Sequence, residues 1–579
     1  MSLSLSKKNI FISLSMIFGL VSIIIFIYCI LYFMNRGFEL SDETYYLYYS
    51  NNLNTQNYNT TQFGIINHLV CFGNPTLLNL RIAKFTYQII AIILFCISVF
   101  KYLNFKKYFI EPKQKIFIVT MIIMTSFCQY DFTPMTLSYN SWSLILMLLC
   151  FSVLFFEATN FNKPINFITS IIVGCICFCF FLTKFPNAVI ASAIYGGISI
   201  FGIRRNTLIK FSGFILGIGL GYFVFLNNYS DLLNIIENYR ISLFEIKHAE
   251  SNLYLKQIYK ILTIITNSPL KIGACVFLLI MAYGVFYCIK KLASTNKLYL
   301  KYSLLVFMLL SIVPFFKGNG GISYNDFMFG SIIIFNTFLF VYLFREKTDT
   351  KKTYSKEILY FIVALYITPV LLMLGTNNAF YYSISPTMVF AITASLIYIL
   401  HYKINYSLYF PLLNIAICVF MLSILYFGVI KHPYRQTSLL DKKYPLHTSK
   451  QINNIYESKA SFIDISVINT IIKKYNPQNK SILVFFNFFG FTSLSDCESA
   501  TNIPLSGREQ YIYVNEYLLS HYNSSNYSGL LLVPENAVQS IEFAKMFKKS
   551  NIILNENYKL LFKYNFLGSE EVIYIYKKI

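Results

Sequence analysis

The residues best suited to chemistry form an acidic, aromatic run just beyond the first long apolar segment, Phe38-Glu39-Leu40-Ser41-Asp42-Glu43-Thr44-Tyr45-Tyr46-Leu47. The segment before it, 10–33, is long enough to cross a bilayer, which takes about 20 residues. Carboxylates can accept a proton, and tyrosine rings can stack on a sugar. The run therefore predicts a catalytic edge at the membrane surface. Alternatively, Asp42 and Glu43 only stabilise the start of the next helix, and taken alone the run fits both interpretations.

Four basic residues are candidates for binding a phosphate. Lys184 interrupts two apolar runs, where an ammonium group is costly unless it has a role; the alternative is a snorkelling lysine that marks the end of a span. Arg81 and Lys84 lie one turn apart and would present two charges together, or would anchor a span at the interface. Lys317 precedes Gly318-Asn319-Gly320-Gly321, which is either a phosphate-binding loop or a simple turn.

A second carboxylate, Asp131, lies in the short turn Gln129-Tyr130-Asp131-Phe132-Thr133-Pro134. It would join the site or cap a helix. For proton abstraction from a hydroxyl group, Asp42 is the preferred general base and Glu43 would orient it. A divalent metal, if one takes part, would be held by Asp42, Glu43 and Asp131. Candidate contacts to a sugar or a lipid are Tyr45, Tyr46 and Tyr382.

The composition identifies the class of protein that must position these residues. Only 13% of the 579 residues are charged and the mean hydropathy is +0.54, which excludes an ordinary soluble globule. We predict a mainly α, polytopic helical membrane bundle. Its thirteen candidate spans are 10–33, 85–103, 115–130, 138–157, 167–183, 185–202, 207–226, 270–289, 302–316, 325–344, 357–375, 380–400 and 407–430.

The net charge of +22 reflects membrane topology. With a cytoplasmic N-terminus, the inner connections hold twenty-one Lys and Arg residues, whereas the short outer ones hold almost none beyond Lys184 and Lys317. This distribution excludes nucleic acid as the expected partner. It predicts an external C-terminal region, and it places Asp42, Glu43, Asp131 and Lys184 on one side, where we expect them to line one cavity.

The chain divides into a membrane domain, 1–430, with outer loops at 34–84 and 227–269, and a C-terminal extracytoplasmic α/β domain, 431–579. In the first loop, 62–69 and 77–82 have the pattern of helices lying in the interface plane. In the C-terminal domain the pattern predicts helices at 461–475 and 536–547 and strands at 482–486, 530–533 and 572–576. No nucleotide-binding glycine loop or catalytic constellation is visible there, which favours a role in support or acceptor guidance.

These features together resemble the GT-C superfamily of membrane glycosyltransferases, such as bacterial protein O-mannosyltransferases and the aminoarabinose transferase of lipid A. Asp42-Glu43-x-x-Tyr46 is similar to the acidic motif of the family's first loop. Leu182-Thr183-Lys184 and Tyr381-Tyr382-Ser383-Ile384-Ser385-Pro386 are similar to two further family segments. Two features depart from the pattern: Phe185 stands where a glycine usually follows the lysine, and the basic residue that often precedes the late tyrosine is absent.

The resemblance implies an inverting glycosyltransferase of the bacterial inner membrane. Its partners would be the lipid bilayer, a polyprenyl-phosphate-linked sugar, and an acceptor glycan, lipid or protein at the outer face. Two other classes remain open. A lipid or glycan flippase or transporter would favour internal repeats and mid-membrane charges, and neither is evident. An O-antigen ligase or polymerase would be expected to place its key residues in a large late outer loop.

Overall fold

The chain is mostly helical in a computed structural model. The structure describes residues 2–53, 61–108, 110–160, 162–203, 206–225, 233, 235–236, 356–372, 385–401, 409–501, 504–520, 527–567, 569 and 571–579. Up to residue 431 the helices are α1 (Ser2–Phe33), α2 (Asp42–Asn51), α3 (Phe63–Val70), α4 (Leu77–Phe105), α5 (Pro112–Ser126), α6 (Gln129–Phe132), α7 (Tyr139–Thr159), α8 (Lys163–Thr183), α9 (Phe185–Gly197), α10 (Thr207–Phe225), α11 (Lys356–Leu371), α12 (Met388–His401) and α13 (Tyr409–Ser423). Two π-helices, Ile198–Ile203 and Ile424–Lys431, extend α9 and α13.

Six helices of the described part are long and apolar enough to cross a membrane: Asn9–Phe33, Leu77–Phe105, Tyr139–Thr159, Lys163–Thr183, Thr207–Phe225 and Leu413–Lys431. Shorter apolar helices occupy Phe185–Phe201, Glu357–Pro369 and Met388–His401. The predicted runs 270–289, 302–316 and 325–344 lie outside the described residues, as does the outer loop 227–269 except for three positions. The membrane character of the chain is therefore supported, and the number of thirteen spans stays a prediction.

Glycines allow two of these helices to approach closely. Gly174 of α8 faces Gly217 of α10, and a Cβ atom added at either one would lie 2.9 Å from the Cα atom of the other. Gly213 and Gly221, one turn to either side on α10, face Phe167 and Phe178 of α8. Small residues at four-residue spacing let helix backbones pack directly inside a membrane. This spacing fixes α10 against α8.

The first loop, residues 34–76, holds two short helices. Residues 62–69 largely form the helix α3, and its position in the interface plane stays a prediction. The prediction of a separate helix at 77–82 is wrong, because these residues form the first turns of α4, which continues to Phe105. Thr76 stabilises that start, since its hydroxyl accepts a hydrogen bond from the backbone N–H of Asn79 at 3.1 Å. The second span thus begins earlier than its apolar run suggests.

The C-terminal region, residues 432–579, contains both strands and helices. Its elements are β1 (Tyr444–His447), β2 (Asn453–Glu457), α14 (Lys459–Tyr475), β3 (Ser481–Val484), α15 (Gly490–Leu494), α16 (Ile512–Ser520), β4 (Tyr527–Pro534), α17 (Glu535–Gln539), α18 (Ile541–Lys549), β5 (Tyr558–Asn565) and β6 (Val572–Lys578). β1 and β2 form an antiparallel pair. The other strands form a sheet of order β3-β4-β6-β5, in which only β3 and β4 are parallel.

The local patterns located α14, β3, β4 and β6. The predicted helix 536–547 is instead two helices, because Ser540 takes an extended backbone and caps α18 by accepting from the N–H of Phe543. The sequence reading also missed β1, β2 and β5. Strand β5 is largely exposed on an edge of the sheet, and lysines on both sides shorten its apolar run to Leu560-Leu561-Phe562, so it resembles the buried strands less.

Backbone hydrogen bonds join the first loop to the C-terminal region. The N–H of Gly37 donates to the carbonyl of Tyr456, and the N–H of Tyr456 donates to the carbonyl of Asn35, both at 2.8 Å. The N–H of Gly490 donates to the carbonyl of Leu40 at 2.6 Å. The loop that carries the acidic run and the C-terminal region therefore lie at the same end of the helical bundle.

Candidate functional site

The acidic run begins with a carboxylate that caps α2. Glu39 accepts hydrogen bonds from the backbone N–H groups of Ser41, Asp42 and Glu43, and from the hydroxyl of Ser41. In return, Glu43 accepts from the backbone N–H of Glu39 at 3.1 Å. Burial, and next the charge of Asp42, raise the pKa of Glu39 to about 7. The capping role that the sequence left open for Asp42 and Glu43 is thus performed mainly by Glu39.

Asp42 is therefore not needed to cap α2, and its carboxylate has other partners. Its Oδ2 atom accepts a hydrogen bond from the hydroxyl of Tyr434 at 2.6 Å and forms an ion pair with Nη1 of Arg435 at 3.0 Å. Its side chain is 17% exposed. Within the described part of the chain its Oδ1 atom carries no hydrogen bond. Asp42 therefore presents a fixed carboxylate with one oxygen still able to accept a proton.

This carboxylate lies on the wall of a cavity of about 1010 Å³ between the first loop and the C-terminal region. That volume is at the upper end of the range for small-molecule sites, about 300–1,000 Å³. The first loop and the start of α7 provide acidic and aromatic groups, and the C-terminal region provides mostly polar ones. The lining includes Phe38, Glu39, Asp42, Tyr45, Tyr46, Tyr139, Arg435, Thr437, Asn487, Ser506, Arg508, Asn515, Asn536, Phe566 and Glu571.

An aromatic cluster supports the wall formed by the first loop and α7. The ring of Tyr46 contacts those of Phe63 and Tyr139 with centroid separations of 5.4 and 5.9 Å. The ring of Tyr45 lies 6.0 Å from that of Phe486 in the C-terminal region. Tyr45 and Tyr46 therefore lie on the cavity, where the sequence suggested a sugar or lipid contact. Tyr382 lies outside the described residues.

Glu43 does not reach the cavity. It is fully buried and forms an ion pair with Arg81, whose Nη2 lies 2.6 Å from Oε2. The remaining N–H groups of Arg81 donate to the carbonyls of Met34, Arg36 and Gly37 and to Glu43 Oε1. All five donors of the guanidinium are thus used inside the protein. This corrects two predictions, because neither a base-orienting Glu43 nor a phosphate-binding Arg81 fits the arrangement.

Lys84 and Asp131 are also buried away from the cavity. The ammonium of Lys84 donates to the hydroxyl of Thr133 and the carbonyl of Pro134 at 2.8 and 2.7 Å. Asp131 packs against Gly428, and burial raises its pKa to about 8. Lys84 therefore fastens the turn that contains Asp131, and neither residue lies where it would meet a substrate in this cavity.

Lys184 forms the junction between α8 and α9. Its ammonium donates to the carbonyl of Leu372 at 2.8 Å, and the residue is 4% exposed. The expectation that Asp42, Glu43, Asp131 and Lys184 line one cavity is therefore wrong for this cavity, since only Asp42 lines it. Positions 373–384, next to the partner of Lys184, lie outside the described residues, and so does Lys317. The phosphate-binding roles of Lys184 and Lys317 stay predictions.

The proposed metal ligands are not assembled as a set. Asp42 pairs with Arg435, Glu43 pairs with Arg81, and Asp131 lies against Gly428. Within the ranges that the structure describes, no group of three or more His, Cys, Asp or Glu side chains has an arrangement that would hold a metal ion.

Sequence reasoning missed Tyr434 and Arg435. They follow the last span directly, in the segment His432-Pro433-Tyr434-Arg435. A basic residue this close to a span, on the side predicted to be external, is an exception to the charge distribution that orients the chain. That exception marks the segment 431–435, and its position on the cavity distinguishes Arg435 from Lys431.

No protein-family model matches this chain, and no curated protein shows significant similarity to it.

Proposed function

We propose that this chain is an inverting membrane glycosyltransferase that moves a sugar from a polyprenyl phosphate to an acceptor hydroxyl at the outer face of the membrane. The observation that supports this most is the position of Asp42. Its carboxylate lies on a cavity of about 1010 Å³ beside aromatic rings and a guanidinium, at the end of a bundle with membrane-length helices.

The chemistry requires one proton acceptor and charge stabilisation of the leaving group. Oδ1 of Asp42 would take the proton of the acceptor hydroxyl as its oxygen attacks the anomeric carbon. The bond from that carbon to the phosphate oxygen breaks, and its electron pair leaves with the phosphate. Attack from the face opposite the phosphate inverts the configuration. Tyr434 and Arg435 hold Oδ2, so the carboxylate keeps its orientation.

The two ends of the cavity suit the two substrates. The first loop adjoins the helical bundle, where a polyprenyl chain would lie in the lipid. The C-terminal region provides amide and hydroxyl groups, including Asn487, Ser506 and Asn536, which suit a hydroxylated acceptor. The C-terminal region would then be an extracytoplasmic α/β domain that guides the acceptor, in a bacterial inner-membrane protein whose N-terminus is cytoplasmic.

The test is transfer from polyprenyl-phosphate sugars extracted from the source membrane, with Asp42→Asn compared with the natural chain. This change removes the base and keeps the shape, so the rate should fall at least about 10²-fold. Asp441→Asn is the matched control, because Asp441 is exposed and lies off the cavity. A turnover near normal in Asp42→Asn would refute the assignment, and so would a natural chain that consumes no polyprenyl-linked sugar.

A further inference from the structure

We infer that Arg435 is the phosphate-binding residue of the cavity and that its guanidinium is shared between the phosphate and Asp42. This inference rests on the proposed function for the identity of the phosphate, which would belong to the lipid-linked donor. The recognised group is a phosphate monoester or diester anion.

Few basic residues on the cavity could bind the phosphate. In the described part of the chain, the basic residues that line it are Arg435, Lys442 and Arg508. Lys442 is buried and pairs with Glu457 at 2.5 Å. Arg435 is 47% exposed and is the one that contacts Asp42. In a bound donor the sugar must contact Asp42. Its phosphate would therefore lie closer to Arg435 than to the other basic residues of the cavity.

Arg435 also has donors to spare. Its Nη1 donates to the hydroxyl of Ser41 at 3.0 Å and pairs with Asp42. Within the described residues, its Nη2 and Nε groups make no hydrogen bond. A guanidinium offers two parallel N–H groups that match two phosphate oxygens. The free edge of Arg435 can accept a phosphate in this way, whereas Arg81 has used all five donors.

The backbone holds Arg435 in place at some cost. Its φ of 50° lies in the left-handed region, which is uncommon for a residue with a side chain. The turn closes through a hydrogen bond from the N–H of Gln436 to the carbonyl of Pro433 at 3.1 Å. On one side Tyr434 bonds to Asp42, and on the other the Gln436 side chain packs against Gly37. The first loop thus maintains the conformation that directs Arg435 to the cavity.

This arrangement makes Asp42 and the phosphate competitors for one cation. An anion on the free edge shares the guanidinium with Asp42, which keeps its contact to Nη1, and the negative charge of Asp42 opposes the binding. Removing the negative charge of Asp42 should therefore strengthen phosphate binding, although it abolishes transfer. A residue with a purely structural role would not produce these opposite effects.

The experiment measures binding of two probes, farnesyl phosphate and inorganic phosphate, to the full chain in detergent by titration calorimetry. Arg435→Gln should weaken binding at least about tenfold, because it removes a charge-assisted pair of hydrogen bonds. Asp42→Asn should strengthen it several-fold, and Arg435→Lys should retain part of it. Lys431→Gln, an exposed basic residue four positions earlier, should leave the affinity unchanged.

Unaltered affinity in Arg435→Gln would overturn the inference, as would an equal loss in Asp42→Asn. If Arg435→Gln does not fold, the other two variants still test the inference, because Asp42→Asn should bind phosphate more tightly and Arg435→Lys more weakly than the natural chain. Tighter binding of farnesyl phosphate than of inorganic phosphate identifies a lipid-linked source, and equal binding identifies a soluble one. Arg435-dependent binding without any sugar transfer would refute the glycosyltransferase proposal and leave this phosphate site standing.

Discussion

Asp42 and Glu43 are adjacent in the sequence, yet their carboxylates have different partners: Asp42 pairs with the half-exposed Arg435 on the cavity, and Glu43 pairs with the buried Arg81 beneath it. The difference follows from the helix that they begin. Consecutive residues of a helix point about 100° apart, so these two neighbouring carboxylates are directed to different surroundings. The pair therefore separates into one residue that can meet a substrate and one that holds the loop.

Glu43→Gln should destabilise the protein much more than Asp42→Asn. Removing the charge of Glu43 leaves the guanidinium of Arg81 buried without a counter-ion, which costs about 3–5 kcal/mol. Asp42 is paired at a partly exposed site, where the loss is smaller. Thermal unfolding of the two variants in detergent measures the difference.

Two further variants test the cause of this destabilisation. Glu542→Gln breaks an exposed ion pair with Lys545 and should change stability by less than about 1 kcal/mol. The double change Glu43→Leu with Arg81→Met removes both buried charges and should recover part of the loss; the remainder reflects the carbonyls of Met34, Arg36 and Gly37, which lose their donor. If Glu43→Gln melts at the same temperature as the natural chain, the structural role of this pair is wrong.

Asp131 should make stability fall as the pH rises. Burial raises its pKa from 3.8 to about 8, so the folded protein holds a proton there that the unfolded chain releases. The favourable contribution is complete below about pH 4 and is lost as the pH rises toward 8, by at most about 1.4 kcal/mol per pH unit.

Asp131→Asn imitates the protonated acid and should remove this dependence. The measurement is the difference in melting temperature between the natural chain and the variant from pH 5 to 8.5. As the pH rises, the melting temperature of the natural chain should fall relative to that of the variant. Glu39 has an effect of the same sign in both proteins, so its contribution cancels in the difference. A difference that stays constant across this range contradicts a buried, protonated Asp131.

The acidic run could be located from the sequence because its composition is local. The roles inside it could not, because they depend on distant residues. Arg81 meets Glu43 across 38 residues, and Tyr434 meets Asp42 across 392. A single sequence carries no information on such pairings. The capping role of Glu39 could have been predicted from the sequence, since its side chain caps backbone groups only two to four residues away.

The difference between local and distant determinants also explains which helices and strands the sequence predicts. Apolar length is a local property, and the long helices α1, α7, α8 and α10 follow it closely. The start of α4 at Leu77 was missed because Arg81 and Lys84 made its first turns look like an interface segment, and only their buried partners show otherwise. Strands β1 and β2 were missed because they are short and are held partly by Asn35 and Gly37 of the first loop. Elements whose stability depends on a distant partner are those that local pattern does not predict.

The last prediction concerns the side of the membrane on which the cavity opens. The first loop and the C-terminal region meet at one end of the bundle, while α4 runs from Arg81 near that end to Phe105 at the other. Lys107 lies beyond α4, and Ser569 lies on the cavity, both with exposed side chains. In intact spheroplasts, a membrane-impermeant maleimide should label Ser569→Cys and leave Lys107→Cys unlabelled until the membrane is opened, since basic connections face the cytoplasm. The natural chain, with its own cysteines, gives the background. Labelling of Lys107→Cys with protection of Ser569→Cys would invert the topology and place the cavity, with its carboxylate and guanidinium, on the cytoplasmic side.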